Sequence, residues 1–124
     1  MTERGVMEKV NLAEKLAGIT EHWRPGIVGE VNDTQVKLAK VRGEFDWHRH
    51  EDEDEMFLVL EGRLKMRFRD RDVWLGPGEM LVVPRGVEHK PVAPEEVHLM
   101  LVEPRGTLNT GTEQTDRTVQ PEWL

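Results

Sequence analysis

Between residues 26 and 104 the chain is cut into short pieces by glycine, proline and aspartate, and this punctuation constrains the fold more than any other feature. Turns are read at Asn32-Asp33, Glu61-Gly62, Asp70-Arg71-Asp72, Gly76-Pro77-Gly78 and Pro84-Arg85-Gly86. Strand-like segments lie between them: Val28 to Val31, Gln35 to Val41, Phe45 to His50, Met56 to Leu60, Leu64 to Phe68, Val73 to Leu75, Met80 to Val83, Lys90 to Val92 and Val97 to Val102. The period of two is clearest where Leu64, Met66 and Phe68 point one way and Arg63, Lys65, Arg67 and Arg69 the other. Short strands with a turn every roughly 8 to 12 residues predict an all-β sandwich or barrel. A parallel sheet would need long helical crossovers, and none are present. One short helix is expected. Asn11 caps it, Glu14 follows three residues on, and Leu12, Leu16 and Ile19 form a single apolar stripe that ends near Gly18.

A chain of 124 residues makes one domain with one modest core. Its expected parts are an N-terminal helix and arm at about 8–31, a barrel at about 34–104 and a polar tail at 105–124, where Val119 and Trp123 are candidate docking points. The apolar runs reach only about five residues, far short of the roughly 20 that span a bilayer. The N-terminus has no basic patch followed by an apolar stretch, so no signal peptide is read and a cytoplasmic location is the default. The net charge of −7, with lysine and arginine spread thinly, argues against nucleic acid or an anionic membrane as partner. No cysteine is present, so any metal must sit on histidine and carboxylate.

The histidines supply a candidate set. His48 and His50 are two residues apart, and on a strand both point to the same face. Glu55 follows after a bend, with Glu53 and Asp54 as alternatives, and His89 lies 39 residues beyond His50. Three imidazoles and one carboxylate suit a single divalent transition metal: iron, manganese, nickel, copper or zinc. Glu51 to Asp54 otherwise read as a solvated acidic loop, and Arg63, Lys65, Arg67 and Arg69 as a solvated strand face that also blunts edge pairing. Phe57 and Val59 share the parity of Glu55 and are candidate pocket walls. Met66 and Phe68 are pocket wall or plain core. His98 shares a face with Met100 and Val102. It is a candidate acid or base if that face lines the pocket, and a structural histidine if it points outward.

The same residues carry a family resemblance. The stretch Gly43-(x4)-His48-x-His50-(x4)-Glu55-(x6)-Gly62 resembles the first cupin motif, one residue short between the first glycine and the first histidine. Gly78-(x5)-Pro84-x-Gly86-(x2)-His89 resembles the second, with Ala93 where that motif often has asparagine. The motifs lie within 47 of the 124 residues. The resemblance implies a double-stranded β-helix, or jelly-roll barrel, with His48, His50, Glu55 and His89 on one metal and Glu55 available as a catalytic base. Cupins of this size usually pair, so a homodimer is expected, with residues 23–31 and Trp74 at the contact.

A fold of this kind does not set its chemistry. The first expectation is a dioxygenase or related oxidoreductase acting on a small enol, catechol or keto acid. The second is a sugar or keto-acid isomerase or epimerase, similar to mannose-6-phosphate-isomerase-like cupins. The third is a non-catalytic metal or ligand-binding module. The assigned inward positions are mostly Leu, Met, Phe and Val, which favours a small apolar or aromatic substrate over a phosphosugar, whose phosphate needs a cationic or amide clamp.

Overall fold

Alternating apolar residues close the chain into a single β-barrel in the computed structural model, which describes residues 7–124. The signal-peptide reading concerns in part residues 1–6, outside the described residues. The elements are α1 (Leu12–Ala17), β1 (Gly26–Val31), β2 (Thr34–Glu44), β3 (Glu55–Glu61), β4 (Leu64–Arg67), β5 (Asp72–Leu75), β6 (Met80–Val83), β7 (Lys90–Pro104) and β8 (Glu122–Trp123). This is the all-β jelly roll with one short helix that the sequence predicts. Among the described residues, no helix is long and apolar enough to cross a membrane.

Strand β7 organises the sheet. It pairs antiparallel with β2 from Thr34↔Pro104 to Glu44↔Val92. On its other edge it pairs first with β4 and then with β3. The sequence suggested two strands here, because Pro94-Glu95-Glu96 reads as a break. The structure keeps one strand and places that polar stretch in an exposed bulge, between the pairs Gly43↔Ala93 and Val41↔Val97. A bulge is where a strand interior tolerates proline.

The inward face follows the expected parity. Val41, Phe57, Val59, Leu64, Met66, Leu75, Val83, Val97, Leu99 and Leu101 form the barrel core. Each such side chain contributes about 1.5–3 kcal/mol by leaving water. The opposite face of β2 presents Leu38 to Leu16, Ile19 and Val28, so α1 lies outside the barrel as a cover. Asn11 Oδ1 accepts from the Glu14 N–H at 3.0 Å, which caps the helix. Gly62 has φ 89, and a Cβ there would meet the Glu96 carbonyl at 2.7 Å, so only glycine closes the β3–β4 turn.

One further expectation changes. Phe45 to His50 is not a strand: besides the Phe45 N–H to Pro91 carbonyl bond at 3.0 Å, it meets β7's approach in a single bridge, His48↔His89, with N–H to carbonyl distances of 3.0 and 2.9 Å. The tail docks through Trp123, one of its two candidate points: Glu122–Trp123 form β8, parallel to β1, and tail residues before it reach the loop that carries His48 and His50. The Thr112 N–H donates to the Arg49 carbonyl at 3.0 Å. Arg117 reaches Asp46 Oδ1 at 3.2 Å and packs its guanidinium 4.4 Å from the Phe45 ring centre. Gly111 presses on the Arg49 backbone so closely that any Cβ would collide with it.

Candidate metal centre

Glu55 opens β3 at an inward position, and the β3–β6 pair Glu55↔Val83 sets its height in the barrel. His89 stands just before β7, locked by its bridge to His48. The Gly86 N–H donates to the His50 carbonyl at 2.7 Å, which ties the two histidine-bearing loops together. Side-chain ligand atoms of His48, His50, Glu55 and His89 consequently lie within 4.8 Å of one another. His50, Glu55 and His89 are buried and His48 is partly exposed.

The imidazole hydrogen bonds test whether a cation fits. His48 Nδ1 lies 2.9 Å from the Asp46 carbonyl, and His89 Nδ1 lies 2.9 Å from the Val87 carbonyl. A carbonyl only accepts, so both rings carry their proton on Nδ1, and in the neutral rings Nε2 is a bare lone pair. His89 Nε2 and His50 Nε2 sit 3.3 and 3.2 Å from Glu55 Oε1. All three atoms are buried and lack a hydrogen-bond partner. The His89 lone pair faces a carboxylate that repels it, and buried polar groups without partners are costly. A divalent cation satisfies all of them together. The residues therefore fit a metal ion, and the set does not distinguish among the first-row divalent ions.

Burial pushes the His48 imidazole from its ordinary 6.5 down to about 4, with neighbouring His89 acting the same way against the Asp46 carbonyl and Glu55. The neutral, metal-ready form thus persists well below neutral pH. Burial alone raises Glu55, but the close Glu103 carboxyl and the His50 and His89 imidazoles outweigh it and hold the carboxyl well below the carboxylate range. Glu103 moves the opposite way. Its burial, then the charge and closeness of the Glu55 carboxyl, raise it well above that range against the pull of Lys37.

The His48 shift has a sign that can be measured. Above pH 6.5 His48 is neutral in folded and unfolded chains alike, and its contribution is fully present. From pH 6.5 to about 4 the unfolded chain binds a proton that the folded chain does not, so stability falls as pH falls, by up to ~3 kcal/mol. Urea midpoints of chelator-treated protein are expected to drop across this window, and His48→Asn is expected to flatten the drop. An equal slope in both proteins would show that the stability loss comes from other groups.

Beside the cluster lies an inner chamber of about 40 Å³, walled by Phe45, Phe57, Leu99 and Leu101, with His48, Glu55, Glu103 and Asn109 as its polar members. This is room for about three waters. On the other side of His48 an outer cleft of about 190 Å³ is lined by Trp47, Arg49, Glu88, Thr110, Thr112 and Thr115. His48 is the wall shared by both. Trp23 stacks on Phe45 with ring centres 4.8 Å apart and closes the chamber from the side of β1.

The structure brings four of the sequence candidates together, sets Phe57 beside them and places Val59, Met66, Phe68 and His98 apart. Phe57 lines the chamber, with its ring centre 6.0 Å from that of His89. Val59 and Met66 are fully buried in the core. Phe68 packs on the edge of that core beneath Arg71. His98 sits on the outer face of β7, between Glu61 at 2.9 Å and Glu96 at 3.0 Å, because its parity is opposite to that of Leu99 and Leu101. Arg63 and Lys65 cover Trp74, while Arg67 and Arg69 cover Trp47, so the basic strand face is occupied by aromatic stacking. Glu103 and Lys37, which the sequence reading did not single out, lie inside the barrel at inward positions of β7 and β2.

Comparison with known proteins agrees with this architecture. The cupin domain family matches residues 35–103. A cupin-2 domain protein from Shewanella frigidimarina is 51% identical, with a TM-score of 0.76 over 77% of this chain and 94% of that one. Protein NMB1881 from Neisseria meningitidis is 35% identical, with a TM-score of 0.72 over 78% of this chain and 99% of that one. Protein YdbB from Bacillus subtilis is 45% identical over 64 residues, 51% of this chain and 57% of that protein's length. With two cupin-like motifs converging on one His/Glu cluster inside a jelly-roll barrel, this chain belongs to the cupin domain family.

Proposed function

We propose that this chain is a metal-dependent enzyme of the dioxygenase or oxidoreductase type, acting on a small enol or keto acid. The supporting observation is the chamber beside the cluster. A metal that serves only stability needs a closed shell of ligands, whereas this cluster adjoins a cavity with apolar walls. A volume of about 40 Å³ suits a molecule of a few carbons better than a catechol ring. His48, His50, Glu55 and His89 would hold the ion, which supplies Lewis acidity and, where redox-active, electron-transfer chemistry. Phe57, Leu99 and Leu101 exclude water from the reacting end of the substrate. Asn109 and Glu103 offer polar contacts to its carbonyl or hydroxyl.

One observation favours a second reading, an isomerase or epimerase. Glu55 is pushed down and the facing Glu103 up, a split that suits a base next to an acid moving a proton beside a carbonyl. Within that reading a phosphosugar is disfavoured. Among the described residues no lysine or arginine lines the chamber, and Lys37 is committed to Glu103 and the Thr107 carbonyl. The test is to incubate metal-loaded protein with a panel of small enols and 2-keto acids in D₂O, following O₂ uptake and proton NMR. Metal-dependent O₂ uptake that is lost in His48→Ala supports the oxidoreductase. Deuterium entering the substrate without O₂ uptake supports the isomerase. Neither signal, in protein shown to hold metal, sinks the catalytic reading and leaves a binding module.

A further inference from the structure

Two buried charged residues of this barrel have no place in its apolar core. Lys37 on β2 is 1% exposed and Glu103 on β7 is 3% exposed. Lys37 Nζ donates to Glu103 Oε1 at 2.9 Å and to the Thr107 carbonyl at 3.1 Å. Glu103 Oε2 is buried, and among the described residues no N–H group donates to it. The β3–β7 register pairs Met56 with Val102, which sets Glu103 opposite Glu55, and both side chains line the same chamber beside the cluster. Glu55 Oε1 in turn lies 3.2 and 3.3 Å from the Nε2 atoms of His50 and His89. The three side chains therefore form a line from the barrel interior to the histidine cluster.

A buried ion pair is seldom worth more to stability than apolar residues of equal volume. This one ends on a metal-ligand candidate, and that gives it a use. A glutamate side chain turns about three bonds and can offer either oxygen, so a carboxylate without support samples many orientations that miss the ion. Partners behind a ligand remove that freedom and typically account for about 10–100-fold in metal affinity. We infer that Glu103, anchored by Lys37, is a positioning residue that holds the Glu55 carboxylate in the orientation that binds metal. The inference rests on the reading of His48, His50, Glu55 and His89 as a metal site.

The test uses the metal alone. Chelator-stripped wild type, Glu103→Gln and the double variant Lys37→Met/Glu103→Leu are titrated with Co²⁺, following its visible absorption, and then competed with Zn²⁺. A glutamine can donate to Glu55 and accept from Lys37, so Glu103→Gln is expected to bind within about threefold of wild type. The double variant fills the same space with apolar atoms and leaves all four ligands in place. It is expected to remain folded by circular dichroism, to bind about 10–100-fold more weakly, and to show an altered Co²⁺ spectrum. A folded double variant with wild-type affinity and spectrum overturns the inference and leaves the metal site standing. Wild type that takes up no Co²⁺ overturns both.

Discussion

Replacing His89 with alanine is expected to weaken metal binding by more than about 100-fold, the upper end of what losing a mere partner of a ligand does. His89 is fully buried, its Nδ1 proton is committed to the Val87 carbonyl, and its Nε2 faces Glu55 with no other partner. No neighbouring side chain can take over its lone pair, because His48 and His50 hold the adjacent positions. Elemental analysis of protein purified without a metal-affinity tag should give about one equivalent of a transition metal in wild type and less than about a tenth in His89→Ala. Thermal melts supply a second reading. Saturating metal at about 100 times Kd adds about 2.7 kcal/mol to wild type, an increment that the variant should lack. Equal metal content in the two proteins would dismiss the cluster as the binding site.

The second large effect lies in the buried pair. Glu103→Leu by itself is expected to lower stability by about 3–5 kcal/mol, because it leaves the Lys37 ammonium in the barrel with only the Thr107 carbonyl. In a domain of this size that corresponds to a fall in Tm of about 10–20 °C. Adding Lys37→Met should restore most of the loss, since the second substitution removes the stranded charge. Urea denaturation of both variants in chelator decides the matter. Equal stabilities for the single and double variants would mean that Lys37 finds water on its own, and that the pair contributes little.

The four cluster residues were readable because the spacing of His48, His50, Glu55 and His89 relative to fixed turns survives any detail of packing. The strand parity of β3 placed Glu55, Phe57 and Val59 on one face, as the burial of alternate residues shows. What escaped the reading had a common cause. Lysine and glutamate are taken as solvent-facing, so Lys37 and Glu103 passed unremarked, although Lys37 shares its face with Ala39 and Val41, and Glu103 shares its face with Leu99 and Leu101. Trusting the period of two over residue character would have put both inside. His98 shows the same rule from the other side, since its parity places it with Met100 and Val102 on the outside of β7. Of the tail, only the docking of Trp123 was legible; the tail's contacts with Arg49, Asp46 and Phe45 depend on long-range geometry that no local pattern encodes.

Strand β7 also sets a timetable. It is the shared partner of β2, β3 and β4, and its contacts join residues as far apart as Thr34 and Pro104. Pairings between such remote segments close slowly, because a long loop must be ordered before any of them forms. As the chain leaves the ribosome, the segments bearing His48, His50 and Glu55 emerge before His89, and β3 can meet β6 before β7 arrives. The four side chains converge only when the β7 pairings close, so an ion held by the full set belongs to a completed barrel.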